Sequence, residues 1–527
     1  MTKYIIVTGG VISGLGKGVT AASICAILKE LGETRVTIKK LDPYLNIDPG
    51  TLNPLEHGEV FVTRDGTEAD LDLGYYERLA GIITSHKNSV SSGKLYLNLL
   101  NKERNGEYLG KTVQVIPHLT NEIKDFIRAD ADEYDYIICE IGGSIGDIEA
   151  MAFYETLRQL KNTDDVMFVH VTYIVHYTVS NELKTKPTQN ALKELMQTGI
   201  RPDVLICRTE QPMHQSVLDK LALYSNLPIE SIIAAPNISS IYKLPYLYIQ
   251  QNLHTLLSNR FQIQAKIGTE HRWKCVSETI DALNTTVTIG IVGKYVDLHD
   301  SYCSMLEAIF HAGVSLHKKV NIQWINARTL NKNELHNALG SVDAVVIPGG
   351  FGTNGVDMII NAISFIRERG IPFLGICMGM QLSVIEYAKN VLHISNAHST
   401  EFCDTTDPIV IKMNDFTKDG NLGGTMRLGS CDVIVQTNTL AHTIYGKKLI
   451  SERHRHRYDV NTTYCEQLEA GGLIISGRSH SDLVEIVELP QDKHPFFIAT
   501  QYHPEYESFM FNPHPLFVGL LQHITPN

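Results

Sequence analysis

The sequence predicts an α/β protein built in two parts. Three observations carry that prediction. Short β-branched runs alternate with longer stretches of helical apolar spacing from the start. The first of these runs leads directly into a glycine-rich turn, as in a P-loop-like parallel sheet. The alternation fades after about Phe261, and a second α/β series then begins.

In order, Tyr4–Thr8, Arg35–Lys39, Val113–Pro117, Tyr136–Ile141, Val166–Tyr173 and Asp203–Arg208 read as buried strands, with helical spacing over Val19–Leu31 and Leu119–Arg128. Residues Gln262 to Thr286 are mixed and polar and read as a linker. Val287–Val292, Val320–Ile325, Asp343–Pro348 and Pro372–Ile376 read as the strands of the second series. Leu473–Ser476, Leu483–Leu489 and Phe496–Tyr502 follow closely, as an antiparallel addition would. No internal repeat relates the halves. At 527 residues the chain exceeds one ordinary core. About 150 residues per domain gives about three units, and two large α/β units fit equally well.

Composition excludes several classes. Hydrophobic residues make up 43% and charged residues 20%, as in ordinary globular proteins. A net charge of −12 disfavours sequence-independent binding along a nucleic-acid backbone, although local lysines can still hold small anions. The cysteines at 25, 139, 207, 275, 303, 377, 403, 431 and 465 are odd in number, scattered and without a C-x-x-C pair. A disulfide framework and a tetrathiolate zinc site are therefore disfavoured. No apolar run reaches the roughly 18 residues of a membrane helix, and the N-terminus has no signal-peptide pattern, so a cytoplasmic protein is expected.

The first strand enters Gly9-Gly10-Val11-Ile12-Ser13-Gly14-Leu15-Gly16-Lys17-Gly18-Val19-Thr20. Glycines let successive N–H groups point into one concavity, the next helix adds its N-terminus, and Lys17 supplies charge for outer phosphates. The strict pattern G-x-x-x-x-G-K-[ST] fails, because Gly18 stands where a magnesium-ligating hydroxyl belongs. Magnesium then needs other oxygens. Asp70, Asp72 and Glu140 are the candidates, the last at the C-terminal end of a predicted parallel strand, where such sheets bind ligands. Lys184-Thr185-Lys186-Pro187-Thr188-Gln189 suits a second anion, although a charged loop of this kind is usually solvated surface.

In the second series, Gly375-Ile376-Cys377-Met378-Gly379 lies between a strand and a helix, a nucleophile elbow with Cys as the nucleophile. The helix N-terminus lowers a thiol pKa and offers the Met378 N–H to an oxyanion, and Gly350, in a second glycine turn, offers another. His503, in Gln501-Tyr502-His503-Pro504-Glu505, would be the base and Glu505 its orienting carboxylate. A single cysteine or histidine is usually structural; it is the combination that points to chemistry.

Together these stretches, with Lys40–Tyr44, His57–Thr63, Asp70–Gly74, Val113–His118, Glu140–Glu149, Gly423–Gly429 and Glu452–Tyr458, resemble the CTP synthase family from Tyr4 to about Leu521. The Lys184–Gln189 run is close to diagnostic. The resemblance implies an N-terminal P-loop-like, parallel-sheet synthetase domain over 1–265, a linker over 266–286, and a C-terminal α/β class I glutamine amidotransferase domain over 287–527. It implies ATP-dependent amination of UTP to CTP through phosphorylation of O4, with ammonia released from glutamine. Gly14, Leu15, Gly16, Lys17, Gly18, Val19, Asp72 and Arg208 would hold ATP, and Asp72 and Glu140 would hold Mg2+. Ser13, Lys184, Thr185, Lys186, Pro187, Thr188, Gln189 and Lys220 would hold UTP or CTP, with Asp147, Ile148 and Glu149 recognising inhibitory CTP. Gly350, Met378, Gly379, Met380, Gln381, Glu401 and Arg457 would hold glutamine. Lys40 would pair with the transferred phosphoryl group, and Arg427 is a candidate for a GTP activator site. The family also implies a homotetramer, in some members filaments, and neither nucleic acid nor membrane as partner. Ser144-Ile145 stands where Thr-Val is usual, and the stretch from Phe402 to Leu422 is shorter than in many bacterial members.

Two other readings share much of this pattern. One is a cobyric-acid-type glutamine amidotransferase, which would lack the Lys184–Gln189 and Asp147–Glu149 stretches. The other is a catalytically idle scaffold of the same fold, against which an intact Cys377, His503, Glu505 and Lys17 weigh.

Overall fold

In the computed structural model, residues 2–47, 49, 58–294, 296, 299–413 and 426–524 are described. By compactness the chain divides into Met1–Pro49 with Asp72–Glu278, and Gly50–Leu71 with Thr279–Asn527. The second unit thus takes in a segment that a contiguous 1–265 domain would place in the first.

In the first unit, strands run in the order Ile232–Pro236, Val204–Thr209, Asp165–Tyr177, Lys3–Gly9, Tyr136–Ile141, Val36–Asp42 and Ser89–Ser91. Every pair along this path is parallel. Ile5, Ile6, Val7, Ile137 and Ile138 are fully buried, as expected where both faces of a parallel sheet are covered. Val7 lies beside Glu140, and Lys40 beside Glu140 on the other side, so three neighbouring strands deliver the loop, a cation and a carboxylate to one edge. Helix Lys17–Glu30 leaves the loop, as the spacing predicts.

One expectation fails here. Val113–Pro117 is not a strand: Ile116 is extended (φ −107°, ψ 122°) and interrupts the turn that leads into helix Thr120–Arg128, with Val115 and Ile116 exposed. Pro117 has no N–H for a ladder, and the apolar side chains find no sheet to cover them. The linker region contains the helix Arg272–Asp281, whose Trp273 is fully buried. Only Trp273 and Val276 anchor its apolar face, too few to show a period.

The second unit carries a nine-stranded sheet in the order Lys318–Asn326, Thr285–Gly293, Ala344–Ile347, Phe373–Ile376, Phe497–Thr500, Val484–Glu488, Ile474–Ser479, Arg427–Val435 and Leu449–His456. The first five are parallel and the rest antiparallel, as the close spacing of the late strands predicts. Helices Val356–Arg369 and Met378–Asn390 pack on one face and Cys303–Ser315 and Pro515–Gln522 on the other. A two-stranded ribbon, Phe61–Val62 with Glu68–Ala69, belongs to this unit. No disulfide joins the nine cysteines, and no helix among the described residues is long and apolar enough to cross a membrane.

Candidate active sites in the two units

In the first unit the glycine loop is held from beneath. Gly10 N–H donates to Val171 O at 3.0 Å, and Ile145 N–H to Gly9 O at 2.8 Å. Gly14 and Gly16 have φ of 71° and 81°, and a Cβ at either would meet nothing within 4 Å, so this rim is open. Lys17 is only 7% exposed and donates to Gly143 O at 2.7 Å. Burial, with Lys40 nearby, holds its pKa below the ordinary lysine value.

Beside Lys17 lies a buried charge cluster. Lys40 Nζ donates to Glu140 Oε1 at 3.0 Å and to Asp72, and Asp42 lies 3.7 Å away. The Tyr76 hydroxyl donates to Glu140. Burial opposes charge on Lys40, but the surrounding carboxylates outweigh it and hold its pKa well above the usual value. Burial and then Asp72 push Glu140 up. The cluster explains Gly18: a Cβ there would run into the Asp72 carboxylate and come within 3.2 Å of Glu140 Oε2. Two carboxylates occupy the room that a P-loop gives to Ser or Thr. Among the described residues no three or more His, Cys, Asp or Glu side chains form a metal cage. Asp72 and Glu140 instead offer the one or two carboxylates that a Mg2+ completed by phosphate oxygens and water would need.

Of the predicted nucleotide-binding residues, Ser13, Ile148, Glu149, Lys184, Lys186 and Lys220 are exposed. Thr185, Thr188 and Gln189 are buried and serve the loop itself. Gln189 Nε2 donates to Thr185 Oγ1 at 2.9 Å, and Thr188 Oγ1 donates to Tyr173 O at 3.0 Å. Pro187 sits in the first turn of helix Lys186–Gln197, where its missing N–H costs nothing. Lys184 pairs with Glu182, and Thr185 and Lys220 line a cavity of about 570 Å³ with His176 and His214. Asp147 accepts the Ser144 N–H at 2.5 Å. Arg208 donates to Ala235 O at 3.2 Å, Pro236 O at 3.3 Å and Asn237 Oδ1 at 3.2 Å.

In the second unit Cys377 has φ 53° and ψ −104°, a strained elbow between strand Phe373–Ile376 and helix Met378–Asn390. Gly379 packs against Ile347 O, which leaves no room for a Cβ. Gly349 presses on His503 and Cys377 together, with an added Cβ 3.0 Å from His503 Cε1 and 3.4 Å from Cys377 Cβ. His503 Nδ1 lies 2.7 Å from Glu505 Oε1. Burial opposes the imidazolium, but Glu505 and Cys377 outweigh it and hold the His503 pKa up at about 10. A buried thiol, an imidazole and an orienting carboxylate in this order can perform nucleophilic acyl transfer.

A cavity of about 340 Å³ opens on Cys377 and His503, lined also by Gly350, Phe351, Arg455, Arg457 and Glu59. Glu401 accepts the Gly352 N–H at 2.9 Å, and burial raises its pKa. Arg457 lies over the Phe351 ring, with its Nε buried and unpaired. Of the predicted glutamine-binding residues, Gly350 and Arg457 line this cavity, whereas Met378, Gly379, Met380, Gln381 and Glu401 do not. Met380 is in the core, and the Gln381 amide is tied to Tyr458 O at 2.9 Å and Gln501 Oε1 at 3.2 Å. Arg427 is buried and ion-paired with Glu485 at 2.7 Å, so its guanidinium is not available to an external nucleotide.

The expectations missed the ribbon. Arg455 pairs with Glu68 at 2.9 Å, Arg453 with Glu507 at 2.8 Å, and Arg453 also donates to Val62 O at 3.0 Å. Glu59 accepts from Ser304 N at 2.9 Å and from its hydroxyl at 2.5 Å. A signal was present: Arg453-His454-Arg455-His456-Arg457 alternates with the period of a strand. Its arginines meet the ribbon and the cavity, while His454 and His456 turn to the buried Arg427–Glu485–Asp459 cluster.

Comparison with known proteins finds relatives for both halves of the chain. Residues 3–263 match the family model for the CTP synthase N-terminus, and residues 297–523 that for class I glutamine amidotransferases. A CTP synthase of Zymomonas mobilis is 47% identical over 98% of this chain and 97% of its own. One of Methanocaldococcus jannaschii is 48% identical over 99% and 98%. A solved glutaminase domain of Trypanosoma brucei CTPS with bound acivicin shares 36% identity with a TM-score of 0.43, covering 45% of this chain and 93% of that one. With both halves matched and near-complete coverage at this identity, the cobyric-acid-type alternative falls away, and the chain belongs to the CTP synthase family of glutamine-hydrolysing ligases.

Proposed function

We propose that the chain makes CTP from UTP by phosphorylating uracil O4 with ATP and displacing the phosphate with ammonia released from glutamine at Cys377. The observation that carries this reading is the buried Lys40–Asp72–Glu140 cluster beside Lys17 at the loop. Such a cluster suits transfer of a phosphoryl group, where positioned charge does most of the work.

The Gly14–Val19 backbone and Lys17 hold the ATP phosphates, Arg208 sits by the adenine, and Lys40 meets the transferred phosphoryl group. Asp72 and Glu140 hold Mg2+, which when bound offsets phosphate charge. Lys184, Lys186 and Lys220 take the UTP triphosphate. Ser13 and the Thr185–Gln189 turn complete that pocket through backbone and framework. Asp147, Ile148 and Glu149 read the base of inhibitory CTP, so that substrate and product share a triphosphate site but not a base site.

In the glutaminase half, His503 takes the Cys377 proton as sulfur attacks the glutamine amide, then delivers it to departing ammonia, with Glu505 holding the imidazolium. Met378 and Gly350 N–H groups face the oxyanion. Glu401 and Arg457 orient the substrate's charged ends, while Gly379, Met380 and Gln381 shape the site from the helix. GTP activation, CTP feedback, tetramer assembly and a cytoplasmic location complete the proposal.

The test is purified protein with UTP, Mg-ATP and either glutamine or ammonia. Cys377→Ala should abolish glutamine-dependent CTP formation and spare the ammonia-dependent route. Lys17→Ala should abolish both. Equal loss of both routes in a folded Cys377→Ala protein would overturn the division of labour.

A further inference from the structure

We infer that Gln501 holds the Cys377 sulfur as a thiolate, and that Gln381 is the positioning residue that fixes which end of Gln501 faces the sulfur. The inference rests on the reading of Cys377 as nucleophile and adds two side chains to it.

The argument follows one chain of hydrogen bonds. Tyr458 O, a backbone carbonyl, can only accept, so the Gln381 group 2.9 Å from it is the NH2. That same NH2 lies 3.2 Å from the Gln501 amide, which must therefore present its oxygen. The Gln501 NH2 is then left at the other end, 3.7 Å from Cys377 Sγ, within reach of a hydrogen bond to sulfur. Gln501 is fully buried and Gln381 3% exposed, so a reversed amide would leave buried polar groups facing like partners.

The thiol needs this donor. As a thiol, Cys377 donates its S–H to Arg455 O, 3.7 Å away, and its N–H is committed to Thr500 O at 2.7 Å. When the proton leaves Sγ for His503 Nε2, one S–H bond breaks, one N–H bond forms, and sulfur keeps the pair. The Arg455 carbonyl then faces an anion and repels it. The Gln501 N–H already points at the sulfur, and a donor to an ionised acceptor is about twice as strong as one to a neutral acceptor. Because Gln381 fixes the amide in advance, no reorientation is needed when charge develops.

The test reads the sulfur itself. The near-isosteric variants Gln501→Met and Gln381→Met are treated with iodoacetamide across about pH 5–10, and alkylation of the Cys377 peptide is followed by mass spectrometry. Loss of a thiolate donor should raise the midpoint by about one pH unit in Gln501→Met, about tenfold slower labelling at neutral pH. Gln381→Met should shift it in the same direction by less. An unchanged midpoint in Gln501→Met overturns the inference. An unchanged midpoint in Gln381→Met alone overturns the positioning role. Should Gln501→Met fail to fold, Gln501→Leu, which also lacks the N–H donor, takes its place and must show the same rise. Glutamine hydrolysis by Cys377→Ser tests the nucleophile separately, so failure of that reading and failure of this one are distinguishable.

Discussion

Arg455 and Glu68 lie 387 positions apart in the chain and meet at 2.9 Å, one on the strand beside the glutaminase cavity and the other on the ribbon that follows Gly58. Both side chains are largely buried, and Arg455 also stands over the Phe351 ring that lines the cavity. The pair ties the ribbon to one wall of the cavity that opens on Cys377.

Glu68→Gln should release Arg455 while keeping the ribbon's shape. A lost charge-assisted hydrogen bond is worth about 1.5–3 kcal/mol, which corresponds to roughly ten- to hundredfold in kcat/KM for glutamine. Steady-state glutaminase kinetics check this. Wild-type values would show that Arg455 is held by Phe351 alone.

Glu505→Gln removes the chief opposite charge on His503. The sign follows from the raised pKa of about 10. A histidine raised above its ordinary value of about 6.5 contributes stability that is fully present below that value and is lost as pH rises through about 10. The melting-temperature difference between wild type and Glu505→Gln should thus be largest below about pH 6.5 and shrink towards alkaline pH. A difference independent of pH would mean that Glu505 acts through packing. Glutamine hydrolysis should fall by about a hundredfold or more, since the imidazolium loses its stabilising carboxylate.

The legible parts of the molecule are those with a local code. The Cys377 elbow needs a strand, a tight turn and a helix within a dozen residues, and the glycine loop is equally local. The oddity at Gly18 is visible in the sequence, but its cause is not: Asp72 arrives from the start of another helix. The ribbon has no period to detect and its partners lie hundreds of residues away, so the alternation of Arg453 to Arg457 points to a strand but not to what its arginines meet. Gln381 was assigned to the substrate because its position in the motif is local, whereas its amide partners, Tyr458 and Gln501, are not. Val113–Pro117 shows the converse, a β-branched run whose local preference found no neighbouring strand.

Lys40 tests the metal assignment without turnover. Lys40→Met leaves the buried Glu140 carboxylate and the half-buried Asp72 carboxylate without their shared cation, and breaking a buried ion pair from one side costs about 3–5 kcal/mol. The melting temperature should fall, and millimolar Mg2+ should restore part of it, because two carboxylate oxygen donors freed of lysine suit that ion. Sodium at equal ionic strength should not. Equal recovery with both salts would mean simple screening and would take Mg2+ away from Asp72 and Glu140.

Gly18→Ser would make the loop look more like a standard P-loop, with a hydroxyl after Lys17, and it should nevertheless impair the enzyme. The new Cβ would collide with the Asp72 carboxylate and press on Glu140 at 3.2 Å. Both belong to a cluster tied to Lys40 and Tyr76, so neither can swing away without breaking a buried hydrogen bond. Overpacking of this kind costs about 1–3 kcal/mol, and it would displace the two carboxylates proposed to hold Mg2+. CTP formation should drop by about tenfold to a hundredfold with either nitrogen source. Glutamine hydrolysis without nucleotides should stay near wild type, because Cys377, His503 and Glu505 belong to the other unit. If Gly18→Ser raised CTP synthesis, the hydroxyl would have found the metal position of an ordinary P-loop, and Asp72 would not be the residue that takes its place.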